Sequence, residues 1–263
     1  MSLPRTAAKV VFAAADALLP KPRGPRVLIY HQVGVGLGRQ IEVSRQDFAS
    51  QLDWLVENRR VVPFEEAVAH WDEPDSDRLV ALTFDDGYAD TFTTAYPMLR
   101  ERELPFLIYL ATESIETGSP LGPPGRADPL GWDQIVDMLS SGLATIGAHT
   151  HRHADLRFLE PAAVEEELET SDGLIERRLG FRPAHFAYPW GYWSKSAAVW
   201  VDSRYETAAI AGTPRPGRVF DRHRLHRYPV QLSDGFRFFG ARLRGGLRGE
   251  EMLRRRLRGY RGP

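Results

Sequence analysis

Residues 79–88, Leu-Val-Ala-Leu-Thr-Phe-Asp-Asp-Gly-Tyr, decide how the chain is read. Six apolar or β-branched residues, bounded by Arg78 on one side and Asp85 on the other, read as a short strand buried on both faces. The run ends in two adjacent carboxylates, Asp85 and Asp86, and Gly87 lets the backbone turn sharply away. Neighbouring acids at the end of a core strand repel each other and demand a counterion. A divalent cation supplies one and divides the labour: one Asp ligates, and the other takes a proton from metal-bound water. A surface Asp-Asp-Gly turn is the competing reading, and the apolar run before it argues against that.

The same pattern recurs on either side. Val27–Tyr30 is a bounded apolar run ending in His31, Phe106–Ala111 is another, and Ala144–Ala148 ends in His149. Between the first two strands, Ser44 and Asp47 form a capping pair ahead of Phe48, Leu52 and Leu55, which predicts a helix over 45–57. Residues 89–102 read as helical despite Pro97, 132–141 as a helix ended by Gly142, and 161–179 as the clearest helix, with Pro161 in its first turn and its glutamates on a solvated face. Residues 112–131, rich in Gly and Pro, read as a surface loop. Phe186–Tyr188, Thr207–Ile210 and Tyr228–Leu232 are further strands. Alternation of strand and helix with polar residues at strand ends predicts one barrel-like α/β domain.

The second chemical cluster is His149-Thr150-His151-Arg152-His153. On a helical turn, histidines four apart project to one side, so His149 and His153 can share an ion while His151 points elsewhere. Asp86, His149 and His153 then form a set of two imidazoles and one carboxylate with positions open for water and substrate. Such a set suits hydrolysis, and it also suits the iron of an oxygenase. Asp85 beside it favours hydrolysis.

Bulk properties narrow the field. The chain has 263 residues, no cysteine, net charge -1 and 43% apolar residues. Its pI near 6.7 argues against a nucleic-acid partner, and without cysteine a metal must rest on imidazole and carboxylate. Residues 5–19 resemble a secretory signal superficially, but Asp16 interrupts the apolar run, so 1–24 reads as an amphipathic N-terminal segment. Residues 236–263 hold nine arginines against two acids, leaving 25 basic and 33 acidic side chains in the rest. That basic C-terminal tail carries apolar residues at helical spacing, Phe236, Phe239, Leu243 and Leu247, then Leu253, Leu257 and Tyr260. Peripheral docking on an anionic membrane surface is one expectation, and a helix closing on the acidic body is the other. A cytoplasmic or membrane-peripheral location is expected ahead of secretion.

Thr83–Gly87 (TFDDG), the HTxxH set at 149–153 and Phe186–Gly191 (FAYPWG) together resemble the polysaccharide deacetylases, the NodB-homology carbohydrate esterases of family 4. The similarity runs from about Val27 to Val230 and is closest to the branch acting on poly-N-acetylglucosamine. The resemblance implies a distorted (β/α) barrel of about seven parallel strands over 25–235, and removal of N-acetyl groups from an N-acetylhexosamine-containing glycan. It implies Asp85 as general base, Asp86, His149 and His153 as metal ligands, zinc as the usual ion with cobalt or nickel as substitutes, and the Trp190 backbone N–H as oxyanion donor. The family's arginine that orients the base aligns with Ala187, which leaves Asp85 without that partner. His226 is the candidate acid for the leaving amine, with His31 the alternative, and Trp132 is nearest to the fourth-motif tryptophan. Trp190, Tyr192 and Trp193 are candidate sugar platforms or barrel-end packing. An O-acetyl esterase and a catalytically silent glycan-binding protein remain alternatives.

Overall fold

The computed structural model describes residues 3–121, 128–214 and 219–257. Seven parallel strands close into a barrel: β1 (Arg26–Tyr30), β2 (Leu79–Phe84), β3 (Phe106–Leu110), β4 (Ala144–Ala148), β5 (His185–Ala187), β6 (Thr207–Ala211) and β7 (Leu225–Pro229). Each pairs with its sequence neighbour, and β1 pairs with both β2 and β7. The ring is uneven. β1 and β2 are in register from Arg26↔Val80 to Tyr30↔Phe84, whereas β4 and β5 share only Ala148↔Phe186. A short strand, Arg60–Val61, pairs with the start of β2.

Helices α1 (Leu3–Ala17), α2 (Arg45–Asn58), α3 (Phe64–Ala69), α4 (Tyr96–Glu101), α5 (Thr112–Thr117), α6 (Trp132–Ser140), α7 (Pro161–Leu179), α8 (Lys195–Arg204), α9 (Gly235–Leu243) and α10 (Arg248–Leu257) complete the fold. The predicted cap of α2 is present, since Ser44 Oγ accepts from the Asp47 N–H at 3.0 Å, and Phe48, Leu52 and Leu55 are buried. Pro97 is accommodated in the first turn of α4, and the preceding turn, Thr91–Ala95, is a π-helix. The 112–131 segment is less irregular than expected because it begins with α5; residues 122–127 of it lie outside the described residues. The last strand starts at Leu225, three residues earlier than its apolar pattern suggested, because Leu225, His226 and Arg227 pair with β6.

Strand alternation sorts the side chains into two sets. Val27, Ala81, Leu107, Tyr109, Ala187, Ala209 and Leu225 fill the barrel interior. Leu28, Tyr30, Leu82, Phe84, Ile108, Ile146, Phe186, Ile210 and Tyr228 face the helices. Several interior residues are small, and Gly147 has to be: a Cβ there would lie 2.6 Å from the Tyr109 ring and 2.8 Å from the His185 carbonyl. The interior therefore has room for Tyr109 and for the fully buried Arg227.

One sequence expectation needs correction. The glutamates of α7 are not all solvated, since Glu167 is buried together with Ser171 and Asp172. Of the two expectations for the basic tail, packing against the body accounts for the middle of its apolar stripe. Phe239, Leu243 and Leu247 are buried, Arg242 is buried against Asp234 and Glu251, and Arg248 donates to the carbonyls of Gly245 and Pro20. Phe236 and Leu253 remain exposed, and Tyr260 lies outside the described residues.

Asp172 accepts a 2.8 Å hydrogen bond from the Tyr205 hydroxyl, and burial pushes its carboxyl up to about 6. An acid with a raised folded-state pKa contributes stability fully below its unfolded pKa of about 4, and loses it as pH rises through about 6. Asp172→Asn keeps the acceptor and removes the charge. It is expected to stabilise the protein by about 2 kcal/mol at pH 8, with the gain shrinking as pH falls from 7 toward 4 in urea denaturation.

Candidate active site

Alternation along the strands carries Asp85, His149 and His31 to the barrel axis, each just past the C-terminal end of its strand. Asp85 continues the inward series of Ala81 and Thr83, and His31 that of Val27 and Ile29. Asp86 is out of phase and reaches the site by backbone conformation, with φ at 75°. Thr150 (65°), His153 (54°) and Trp190 (62°) are also left-handed, so four of the seven such non-glycine residues among those described lie here. Conformations of this kind cost of order 1–3 kcal/mol each and persist where surrounding structure imposes them.

Backbone pairing does that here. The Asp85 N–H donates to Tyr30 O at 2.9 Å, the His149 N–H to Leu110 O at 2.9 Å, and the Leu130 N–H to Gly87 O at 2.8 Å. The 149–153 segment is not the helical turn its spacing suggested. It is a pair of bends braced by buried Glu167, whose carboxylate accepts from the N–H groups of His151 (3.1 Å) and Arg152 (2.8 Å) and from Arg152 Nε (2.5 Å). His151 turns away, its Nδ1 3.0 Å from Thr112 Oγ1. On the next turn, Gly191 sits so close to β6 that a Cβ would lie 2.2 Å from that of Ala211.

Asp86 Oδ1 faces His153 Nε2 at 3.2 Å and His149 Nε2 at 3.4 Å. One ligand atom from each of the three residues lies within 4.8 Å of the others. His149 Nδ1 is 2.7 Å from Ala187 O, so that nitrogen carries the proton and Nε2 presents its lone pair. Asp86 Oδ1 is buried without a hydrogen bond. Burial alone would raise the Asp86 carboxyl, but the imidazoles of His153, His31 and His149 outweigh it and hold the group far below the usual carboxylate range. Burial draws His153 down to about 4, which keeps it neutral, as a metal ligand must be. A buried carboxylate oxygen with no hydrogen bond, facing two imidazole nitrogens, fits a divalent cation.

Asp85 is held differently. Arg227 grips it with both ends of the guanidinium, Nη1 to Oδ1 at 2.6 Å and Nη2 to Oδ2 at 2.8 Å. Nη1 also reaches Thr83 Oγ1 at 3.0 Å, and the Arg227 Cζ lies 4.8 Å from the centre of the Tyr109 ring. Desolvation would raise the Asp85 carboxyl, but Arg227 foremost, with His149 and His31, holds it below its ordinary value. The partner that appeared missing at position 187 is therefore supplied by β7. Sequence reasoning missed Arg227 because attention fell on the histidines around it, yet the alternation that turns Leu225 inward also turns Arg227 inward.

That alternation displaces His226. It lies on the outer face of the strand whose inner face carries Arg227, its Nδ1 2.8 Å from Gly212 O. His31 is beside the acids, close enough to influence Asp85, Asp86 and His153, and its Nδ1 is buried with no hydrogen-bond partner. Trp132 is on the outer wall, donating from Nε1 to Glu116 at 2.8 Å. Of the aromatic residues near the mouth, Trp190 is 53% exposed and its ring centre is 5.1 Å from that of His153. Tyr192 and Trp193 are half-buried under Arg157 and Arg224. Trp54, Trp71 and Trp200 pack against the two cores.

Arg227→Lys keeps a positive charge but loses the two-pronged grip on Asp85. Turnover of an acetylated substrate is expected to fall about 100-fold, with the acid limb of the pH–rate profile moving to higher pH as Asp85 loses the contact that depresses it. An unchanged acid limb contradicts this role. Glu167→Gln, which weakens the brace under His151 and Arg152, is expected to lower metal affinity about 10-fold in a competition titration.

Comparison with known proteins agrees with this geometry. Residues 72–207 match the polysaccharide deacetylase family. YxkH of Bacillus subtilis (strain 168) is 25% identical over 225 residues, covering 84% of this chain and 76% of its own. IcaB from Ammonifex degensii superposes with a TM-score of 0.70 at 25% identity, over 85% of this chain and 98% of that one. The Streptococcus pyogenes deacetylase PplD, solved in complex with acetate, has the same fold, with a TM-score of 0.70 at 21% identity over 82% of this chain and 96% of its own. With its barrel, its paired aspartates and its histidine bends in place, the chain belongs to the polysaccharide deacetylase family.

Proposed function

We propose that the chain hydrolyses the acetamido group of an N-acetylhexosamine in a glycan, using a divalent cation, zinc foremost, held by Asp86, His149 and His153. The observation that carries this reading is the contrast between two adjacent buried carboxylates: Asp86 facing two imidazole nitrogens, and Asp85 gripped by Arg227. A cation bound there would polarise the acyl carbonyl and acidify nearby water.

The chain's own residues supply the rest. Asp85, kept ionised by Arg227, accepts the proton of the attacking water. The Trp190 backbone N–H, on the left-handed turn after Pro189, donates to the developing oxyanion, and the exposed Trp190 ring forms a platform for a sugar face. His31 delivers a proton to the leaving nitrogen. In support, its Nδ1 is buried without a partner among the same three site residues. An amine cannot leave as an anion, so an amide needs that proton more than an ester does.

Acetate release from a soluble N-acetylglucosamine oligomer is expected to stop in chelator and return when zinc is restored. Asp85→Asn should lose at least 1,000-fold in turnover while retaining the metal, read by elemental analysis. His31→Gln should lose about 100-fold on the amide and less on the matching O-acetyl ester. Full activity in chelator-treated, metal-free protein would overturn the reading.

A further inference from the structure

Helix α1 is built inside out. A helix on a protein surface ordinarily buries its apolar stripe and shows its charges to water. Here Lys9 and Asp16 are buried, while Ala7, Ala8, Val10, Val11, Ala14, Ala15 and Ala17 are exposed. The exposed apolar run continues into Leu18 and Leu19, and Val11 is 66% and Leu18 88% exposed.

The inversion is held by long-range ion pairs. Lys9 Nζ lies 2.6 Å from Asp234 and 2.8 Å from Glu250, partners more than 220 positions away. Asp234 also receives Arg242, and Glu251 receives Arg242 together with the N–H and hydroxyl of Thr213. Phe12 lies against Gly249 of α10, where a Cβ would be 2.5 Å from its ring. On α10, Met252 and Leu253 are about half exposed.

The exposed charges that follow the helix directly are basic. The acids of the two terminal segments, Asp16, Asp234, Glu250 and Glu251, are all buried. Lys21 and Arg23 are exposed directly after Leu19. An apolar helix face followed by exposed Lys21 and Arg23, with the neighbouring acids buried, complements the interface of an anionic bilayer, where the apolar side chains enter the acyl boundary and the cations meet headgroups. None of the described helices is long and apolar enough to cross a membrane, so the contact is peripheral.

We infer that the outward face of α1, with Leu18, Leu19 and the basic residues beside it, is a docking surface for an anionic lipid membrane. The test is co-sedimentation of the full chain with vesicles of phosphatidylcholine and phosphatidylglycerol (1:1), and with phosphatidylcholine alone. Binding is expected to the anionic vesicles, to weaken as salt rises, and to fall at least 10-fold in Val11→Glu/Leu18→Glu. Val199→Glu, at an exposed position on α8, should bind as the parent does. Matching circular-dichroism melts establish that the variants fold, and Val11→Ser/Leu18→Ser replaces the first pair if its melt differs. No sedimentation by the parent, equal binding to neutral vesicles, or binding unchanged in the double variant overturns the proposal. A soluble dimer dissolved by the same double variant, without vesicle binding, also overturns it and assigns the face to a second copy of the chain.

Discussion

Two carboxylates on consecutive residues cannot both stay charged inside a barrel unless each has its own positive neighbour. At an effective dielectric near 20, two unit charges about 5 Å apart repel by about 3 kcal/mol, before the larger cost of removing both from water. The chain separates their environments. Asp85 continues its strand and meets the guanidinium of Arg227 across the interior. Asp86 leaves the strand through a left-handed residue and meets two imidazoles at the mouth. Neighbours in sequence thus become one acceptor for a proton and one ligand for an ion. The small residues lining the barrel make this possible, since a bulkier residue at position 147 would collide with the ring beneath Arg227.

Much of this was legible because strands have a period of two. The apolar runs located β1 to β4, and the polar residue closing three of them, His31, Asp85 or His149, turned out to lie on the axial side. The barrel and its parallel order follow from the same rhythm. What the rhythm could not convey is where the backbone leaves it. A helical reading of His149 to His153 brings the correct two imidazoles together for the wrong reason, because the actual path passes through left-handed Thr150 and His153 and is braced by Glu167. Glu167 could not be singled out among the acids of α7, since its partners are the backbone N–H groups of another loop. His226 and Arg227 show the converse. Side-chain chemistry favoured the histidine, whereas alternation, available from the sequence once Leu225 is taken as inward, favours the arginine.

The braces around the site are unequal in kind, and this bears on how it holds its shape. The strand ends are fixed by backbone hydrogen bonds that cannot be altered by substitution at the site itself. The left-handed corners are fixed by single side chains or single glycines: Glu167 under the histidine bends, and Gly191 against Ala211 under the turn that carries Trp190. Geometry at the mouth therefore depends on a few residues that never touch a substrate, and strain at those corners is sustained by contacts several ångströms behind them.

The terminal helices obey the same logic of burial with the signs reversed. Residues 5–19 read as amphipathic, but which side of their helix counts as interior is set by Asp234 and Glu250, far along the chain. Once Lys9 is drawn inward, its helix has no choice but to turn alanine, valine and leucine to the outside. A buried ion pair surrounded by protein contributes little net stability compared with an apolar contact of the same size. Stability alone would favour the ordinary orientation of α1, with its valines inward and Lys9 in water. The inverted arrangement gives up that advantage, and what it gains is a continuous apolar surface flanked by cations on the outside of a barrel whose chemistry lies at one end.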